Sequence, residues 1–355
     1  MKIIHTSDLH LGSPLSTKLK SDKLRERKRE LLTNFTRLCE EAKRVGAAAI
    51  IIAGDMFDSQ KISLRALSYT LDAIEKSPDI AFFYLAGNHE KNAVKDSGRV
   101  LPKNLYLFDG EWTYYGIGDV VIAGRSEITD DAFDTLRLDA DKKNIVVLHG
   151  ELRDRTRAPE TIGANDAAGK NIDYLALGHY HSYSTRAIDK SCYAVYSGTP
   201  EGRGFDEVGD MGYALLNTDG AGISHSFVPF ARRRIRIAEL DVSGLSRHSE
   251  LMDRAEAALF RISPSDLVRL VIKGRRRLGF WVDTLAIERS FATRFYYFEI
   301  KDVSRLEIRA EDYVNDRSLK GEFIRLVTSD EALTDEEKEK VILCGLNALL
   351  GEGEL

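Results

Sequence analysis

Carboxylates, imidazoles and one amide recur in this chain directly after apolar runs. They occur in five segments: Asp8-x-His10, Gly54-Asp55-x-x-Asp58, Gly87-Asn88-His89, His149-Gly150 and Gly178-His179-x-His181. In Asp-x-His or His-x-His at a strand end, the middle residue can turn away while both side chains reach one point. Carboxylate, imidazole and amide oxygen together suit first-row divalent metals better than Ca²⁺ or Mg²⁺, which prefer oxygen ligands alone. The segments therefore predict a transition-metal site.

Each segment taken alone has an ordinary structural explanation. Gly-Asp after a strand is commonly a turn, and so is Gly-Asn-His, since Asn and Gly favour left-handed conformations. An isolated Asp-x-His is typical of a capping residue beside a surface histidine. Five such segments, each at the end of an apolar run, are not explained by five unrelated turns.

The run Ala47–Ala53 shows how these residues would be positioned. It is continuous, apolar and Ile-rich, which is typical of a strand buried on both faces. A helix over Leu64–Glu75 and a strand over Ile80–Leu85 follow, and this alternation predicts a parallel sheet with right-handed crossovers. Ligands bind beyond the carboxyl ends of such strands, where Asp55 would lie.

Composition sets the broad class. With 355 residues the chain exceeds one small domain, and with 43% hydrophobic and 30% charged residues it can bury a large core. Three distant cysteines, without a Cys-x-x-Cys pair, favour a reducing compartment. The sequence has neither a signal-peptide core nor an apolar run of about 18 residues, so we expect a cytoplasmic protein without membrane contact. The net charge of -5 does not decide whether nucleic acid binds.

Three regions are expected. Residues 1–230 carry the five segments, with short strands after Asn104 that suggest a mixed sheet doubled into two layers. Residues 231–310 read as a small α+β module. Residues 311–355 read as helical, and Thr334-Asp-Glu-Glu337 predicts a capping box at the start of the last helix.

In order and composition, the five segments resemble the calcineurin-like metallophosphoesterases. That resemblance implies an α/β fold in which two sheets form an αββα sandwich with two metals at the strand ends, followed here by a small α+β capping domain and a C-terminal helical segment. It implies one metal held by Asp8, His10 and His181, another held by Asn88, His149 and His179, and Asp55 bridging them. His89 matches the catalytic histidine, which donates a proton or stabilises charge on the phosphoryl group.

Further segments distinguish branches of this superfamily. Ser/Thr protein phosphatases share Gly87–Glu90, but they carry arginine after the second aspartate of their second motif and lack the Gly-His-x-His pair. Ile4–Gly12, Ser197–Pro200 and Gly202–Glu207 instead resemble SbcD-like DNA repair nucleases. Eukaryotic and archaeal members have histidine where this chain has Asp58, so Asp58 resembles the bacterial form and leaves cleavage polarity open.

The branch resemblance implies a two-metal DNA nuclease acting at DNA ends in double-strand-break repair. Mn²⁺ is the favoured metal, with Fe, Zn and Co as alternatives. The implied partners are DNA, an SbcC-type SMC-like ATPase docked by the C-terminal helices, and a second copy of the chain. Two other functions stay open: a phosphodiesterase acting on small nucleotides, and a regulatory scaffold subunit with a vestigial site.

Two basic clusters are candidates for contacting DNA phosphates. In a strand predicted over Arg232–Val242, the first cluster would lie on one side. The second follows another strand of the same module. Their members are Arg232, Arg234 and Arg236 in the first, and Lys273, Arg275, Arg276 and Arg277 in the second. A solvated charged surface is the alternative for both.

Overall fold

A computed structural model of the protein describes residues 1–15, 19–91, 93–156, 160–277, 280–307 and 310–350. The chain divides into two compact units, Met1–Ile235 and Arg236–Leu355. Domain boundaries at 230 and 310 stay a prediction. Of the helices described, none combines the length and the apolar character needed to cross a membrane.

In its described residues, the first unit consists of strands with four α-helices. The helices are α1 (Ser21–Val45), α2 (Leu64–Glu75), α3 (Ala132–Thr135) and α4 (Ala164–Ala167). The strands are β1 (Lys2–Thr6), β2 (Ala47–Ala53), β3 (Ala81–Leu85), β4 (Leu105–Leu107), β5 (Thr113–Ile117), β6 (Val120–Gly124), β7 (Lys143–His149), β8 (Glu151–Arg153), β9 (Thr161–Gly163), β10 (Tyr174–Gly178), β11 (Ser184–Ala187), β12 (Tyr193–Tyr196), β13 (Gly212–Asn217) and β14 (Ser224–Pro229).

Two six-stranded sheets organise this unit. The first has the order β14-β13-β1-β2-β3-β4, and the second has the order β11-β12-β10-β7-β6-β5. β1 to β4 run parallel in the first sheet, and β6, β7, β10 and β12 run parallel in the second. The outer strands β13, β14, β5 and β11 pair antiparallel. The expected mixture of parallel and antiparallel strands is therefore present.

Apolar side chains fill three layers around the sheets. Ile51 of β2 and Val147 of β7 belong to one buried cluster between the sheets. Ile50 and Ile52 of β2 point the other way and pack with Phe35 of α1. Because successive strand residues face opposite sides, the uninterrupted isoleucines serve both layers. A further cluster covers the outer face of the second sheet. The predicted two-sheet α/β class is confirmed.

The second unit is α+β. Its elements are β15 (Ile235–Asp241), α5 (His248–Leu259), β16 (Leu267–Lys273), β17 (Arg275–Arg277), α6 (Thr284–Phe291), β18 (Tyr297–Asp302), β19 (Arg305–Glu307), α7 (Leu319–Thr328) and α8 (Asp335–Leu350). β15, β16 and β18 form a three-stranded sheet, against which α5 and α6 bury one core. At the start of α8, Glu337 accepts from the Thr334 backbone N–H at 2.8 Å and its own backbone N–H donates to the Thr334 hydroxyl at 3.4 Å, which confirms the capping box.

One predicted strand begins later than expected. The strand predicted from Arg232 starts at Ile235. Glu201 accepts hydrogen bonds from the backbone N–H groups of Arg232 at 2.6 Å and Arg233 at 3.2 Å. These N–H groups are therefore used by a side chain rather than by a sheet. The prediction that Arg232, Arg234 and Arg236 alternate along one strand is wrong for the first two.

The same Glu201 belongs to a buried ion-pair network on α1. Arg27, whose side chain is 1% exposed, donates to Glu201 at 2.7 Å and to Glu30 at 2.8 Å. It also donates to the Gly202 carbonyl at 2.6 Å. Arg233 also pairs with Glu30 at 2.6 Å and Arg37 with Glu201 at 3.5 Å, so Arg27 is one of three arginines that compensate these two carboxylates.

We expect Arg27→Met to lower the free energy of unfolding by about 1–3 kcal/mol, because the buried carboxylates of Glu201 and Glu30 lose one cation and its hydrogen bonds while Arg37 and Arg233 remain. Urea denaturation of the full chain measures this. Arg25→Met is the matched control on the same helix, since Arg25 and its partner Asp22 are both exposed. Equal urea midpoints for the two variants would contradict the assignment of Arg27 as a structural cation.

Candidate metal centre

The predicted ligands lie where strands of both sheets end. β1, β2 and β3 of the first sheet and β7 and β10 of the second each lead into one of the five segments. Asp55, directly after β2, lies at the centre of the cluster. Its Oδ2 is 3.4 Å from His149 Nε2, 3.8 Å from His89 Nε2 and 3.9 Å from His10 Nε2.

Asp8 is a second buried carboxylate in this cluster. Its Oδ1 lies 3.8 Å from His181 Nε2. The His179 backbone N–H donates to both Asp8 oxygens at 3.1 Å, and the Ser7 hydroxyl donates to Oδ2 at 2.5 Å. Three sets of side chains place ligand atoms close enough for one cation. These sets are Asp8 with His10 and His181, Asp8 with Asp55 and His149, and His10 with Asp58 and His89.

Asn88 and His179 complete the predicted residues. The rings of His149 and His179 have centroids 5.6 Å apart. Asn88 and His149 line a common cavity of about 360 Å³. The structure therefore brings all seven predicted ligands, together with His89 and Asp58, into one neighbourhood.

The backbone is unusual at four of these residues. Asp8, His10, Asp55 and His179 have φ values of +52°, +46°, +50° and +106°. Such conformations cost about 1–3 kcal/mol each and persist only where the surroundings impose them. Here they turn side chains at the strand ends toward one point.

Glycines permit the close approach of the strand ends. A Cβ atom at Gly54 would lie 2.1 Å from His149 Nδ1, and one at Gly87 would lie 2.1 Å from Asp55 Oδ1. At Gly178 it would lie 1.9 Å from the Ala53 carbonyl oxygen. None of these distances can accommodate a side chain, so the glycines beside the ligands are required by packing.

The electrostatics of the cluster favour positive charge between the carboxylates. Burial lowers the pKa of His149, but the Asp55 carboxylate 3.4 Å away and the charge of Asp8 outweigh it and raise the pKa to about 9. Burial opposes the ionisation of Asp55, yet His149 holds its pKa down at about 2. Burial raises the pKa of Asp8. Burial and the positive charge of Arg203 lower the pKa of His10 to about 3, which leaves that imidazole neutral.

The residues present fit a divalent metal. His10 Nε2 and His149 Nε2 are buried and have no hydrogen-bond partner among the described residues, although both face the Asp55 carboxylate. His149 Nδ1 donates to the Ala53 carbonyl at 2.9 Å, so Nε2 is the ring nitrogen that is available to a metal in the cluster. Two divalent ions bound here would supply polarisation of a phosphoryl group and a nucleophilic hydroxide.

Sequence reasoning missed two carboxylates that support the site. Glu90 is fully buried, and it accepts from the backbone N–H groups of Met56 at 3.0 Å and Phe57 at 3.2 Å and from the Tyr84 hydroxyl at 2.8 Å. Burial and the charge of Asp55 raise its pKa to about 7. Glu207 lies 2.7 Å from His181 Nδ1. Glu90 could have been found from the sequence, because it directly follows His89. Glu207 could not, because it lies 26 residues from His181, the predicted ligand that it contacts.

The family follows from comparison with known proteins. The family model for calcineurin-like phosphoesterases matches residues 1–183, more than half of the chain. The chain therefore belongs to the calcineurin-like phosphoesterase family and is a metal-dependent phosphoesterase.

The individual proteins that resemble this chain share a low sequence identity with it. The chain is 24% identical to the uncharacterized metallophosphoesterase YhaO of Bacillus subtilis, over 77% of this chain and 72% of that protein. It is 25% identical to the DNA double-strand break repair protein Mre11 of Methanosarcina acetivorans, over 77% of this chain but only 46% of that protein. It is 24% identical to the SbcD component of the nuclease SbcCD from Staphylococcus saprophyticus, over 99% of this chain and 100% of that protein.

We expect Gly87→Ala to weaken Mn²⁺ binding at least tenfold. The added methyl group would meet the Asp55 carboxylate at 2.1 Å and the Asp55 backbone nitrogen at 2.4 Å, so Asp55 must move. Gly116→Ala is the control, because a Cβ there meets no described atom within 4 Å. Isothermal titration of the full chain with Mn²⁺ measures both. An unchanged isotherm for Gly87→Ala would contradict the central position of Asp55.

Proposed function

We propose that this protein is a two-metal-dependent nuclease that hydrolyses phosphodiester bonds at DNA ends. One metal is held by Asp8, His10 and His181, the other by Asn88, His149 and His179, and Asp55 is shared. Mn²⁺ is the favoured ion, with Fe, Zn and Co as alternatives. The observation that carries the chemistry is the Asp55 carboxylate within 4 Å of three imidazole nitrogens.

His89 has the surroundings of a proton donor rather than of a buried ligand. Its side chain is 52% exposed, whereas those of His10 and His149 are almost fully buried. Its backbone N–H donates to Asp55 Oδ1 at 3.2 Å, which fixes the residue at the edge of the cluster. From there its imidazole can reach a leaving-group oxygen of a bound phosphodiester.

The relatives support DNA as the substrate. The SbcD component is named as part of a nuclease, and it aligns with nearly the whole of this chain. Mre11 is named a double-strand break repair protein. A phosphodiester within a long polymer must also reach the site from solvent, and the exposed flank at His89 provides that access.

The seven basic residues remain candidates for phosphate contacts. Several already have carboxylate partners: Arg234 pairs with Asp210 at 2.8 Å, Arg236 with Asp266 at 3.8 Å, and Lys273 with Glu239. Arg232, Arg275 and Arg277 are exposed, and Arg276 is half-buried. DNA binding by the paired residues requires exchange of a carboxylate for a phosphate.

A phosphodiesterase acting on small nucleotides is the second candidate. The cavity of about 360 Å³ beside Asn88 and His149 favours it, because its volume suits a single nucleotide. Lys91, Ser126 and Thr129 supply polar groups in its lining. The two candidates differ in whether polymeric DNA is degraded.

We expect the purified chain with Mn²⁺ to degrade linear DNA, and His89→Ala to reduce the rate by about 10²–10⁴-fold. Linear and circular substrates, single- and double-stranded, distinguish end-directed from internal cleavage. His225→Ala is the control, since that histidine lies on β14 and belongs to none of the five segments.

Cleavage of a small diester without degradation of any DNA would contradict the nuclease and favour the second candidate. Full Mn²⁺ binding by His89→Ala would separate its chemical role from loss of metal. Absence of bound transition metal in the wild-type protein would revive the scaffold function.

The family resemblance also supports a homodimer and an SbcC-type SMC-like ATPase as partners. In the second unit, Leu319 and Leu326 of α7 are 68% and 70% exposed. They are seven residues apart and therefore share one helix face, whereas Ile324 of the same helix is buried. We assign this exposed face to ATPase docking.

Leu319→Asp combined with Leu326→Asp should abolish co-elution of the full chain with such an ATPase, because charge on the docking face opposes apolar burial. Val100→Asp is the control, at a residue that is 95% exposed in the first unit. Co-elution of the double variant at the wild-type level would contradict docking through α7.

A further inference from the structure

We propose that Arg203 is a positioning residue for one metal of the centre. Its guanidinium joins two carboxylates, Glu207 and Asp58, that lie against the outer nitrogens of His181 and His10. The inference rests on the two-metal centre proposed above and deepens it, because it assigns a separate outer support to the metal of Asp8, His10 and His181.

The first half of this bridge is the contact with Glu207. Glu207 Oε1 lies 2.7 Å from His181 Nδ1 and accepts from Arg203 Nη2 at 2.8 Å and Nε at 3.1 Å. Glu207 Oε2 accepts from the Arg203 backbone N–H at 2.5 Å. Glu207 is 2% exposed, so these contacts are made away from water. His181 Nδ1 is thereby kept as the donor, and Nε2 faces Asp8.

The second half is the contact with Asp58. Arg203 Nη1 donates to Asp58 Oδ1 at 3.3 Å, and the same oxygen lies 3.1 Å from His10 Nδ1. His10 is 3% exposed, and its other ring nitrogen, Nε2, faces Asp55 Oδ2 at 3.9 Å. One guanidinium therefore connects the outer environments of two predicted ligands of the same metal.

The segment that carries Arg203 is itself anchored. The Glu201 carboxylate accepts hydrogen bonds from the Arg27 side chain of α1 and from the backbone N–H groups of Arg232 and Arg233. The Glu207 backbone N–H donates to the Gly204 carbonyl at 2.9 Å and closes a turn. Glu201 at one end of residues 201–207, and the contact of the Glu207 carboxylate with His181 at the other, tie the segment that carries Arg203 to the rest of the unit.

The residues proposed to hold the other metal have a different outer contact. His149 has a backbone carbonyl, that of Ala53, at its outer nitrogen rather than a carboxylate. A change at Arg203 should therefore act on one ion and spare the other. A planar guanidinium can contact two carboxylates at once in a fixed fork, whereas a lysine ammonium acts as a point charge.

Titration of the full chain with Mn²⁺ tests the proposal. We expect the wild type to bind two ions, and Arg203→Lys to bind one of them about 10–100-fold more weakly while the other changes less than about twofold. The Mn²⁺ electron paramagnetic resonance spectrum should change from that of a coupled pair to that of a single ion at metal concentrations that saturate the wild type. Glu207→Gln should weaken the binding of the same ion.

A purely electrostatic role predicts the opposite pattern. If Arg203 acted only as a nearby positive charge, Arg203→Lys would leave both affinities unchanged and Arg203→Gln would raise them, because removal of a cation favours a metal. Either result would overturn the proposal, as would an equal loss at both sites.

Arg186→Lys is the matched control, since Arg186 is a half-exposed arginine of the same unit that pairs with Asp154 at 2.8 Å. Thermal denaturation of each variant shows that it is folded. Failure of the wild type to bind two ions would overturn the centre and this proposal together, whereas failure to cleave DNA would leave the proposal intact.

Discussion

Two buried carboxylates, Asp8 and Asp55, lie together at the edge where both sheets end, and the rest of the site depends on compensating their charge. Burying an ionised carboxylate costs several kcal/mol unless cations or hydrogen bonds face it. The surrounding groups meet this requirement from every side: backbone N–H groups donate to both carboxylates, and three imidazole nitrogens surround Asp55. Divalent metal binding, as in the calcineurin-like phosphoesterase family, would add further compensation for this charge.

The same requirement explains features that would be unfavourable elsewhere. Four of the residues in the cluster have positive φ, and three glycines stand where any side chain would collide with a ligand or with a neighbouring strand. The sandwich sustains this strain because β2 and β7, which lead into the cluster, are packed into apolar layers on both faces. Around the cluster, Glu90 and Glu207 fix the loops that carry His89 and His181. The backbone strain at these four residues lowers the stability of the fold, but it positions the ligands before a substrate binds.

Much of this could be predicted from local sequence. The strand Ala47–Ala53 and the helix Leu64–Glu75 have the predicted bounds, because each is delimited by strong signals such as Gly54 and the cap Ser63. The ligand types could be recognised because they follow apolar runs directly. What could not be predicted depends on distant parts of the chain. The interaction of Glu201 with the backbone of Arg232 and Arg233 delays β15, and Glu207 meets His181 only in the folded state.

The most direct test of the account is the anomalous diffraction of crystals of the full chain grown with Mn²⁺. Two peaks about 3.5–4 Å apart, with the Asp55 carboxylate between them, are predicted. Asp8, His10 and His181 should surround one peak, and Asn88, His149 and His179 should surround the other. A single peak, or two peaks of which only one contacts Asp55, would contradict the shared carboxylate on which the proposed mechanism depends.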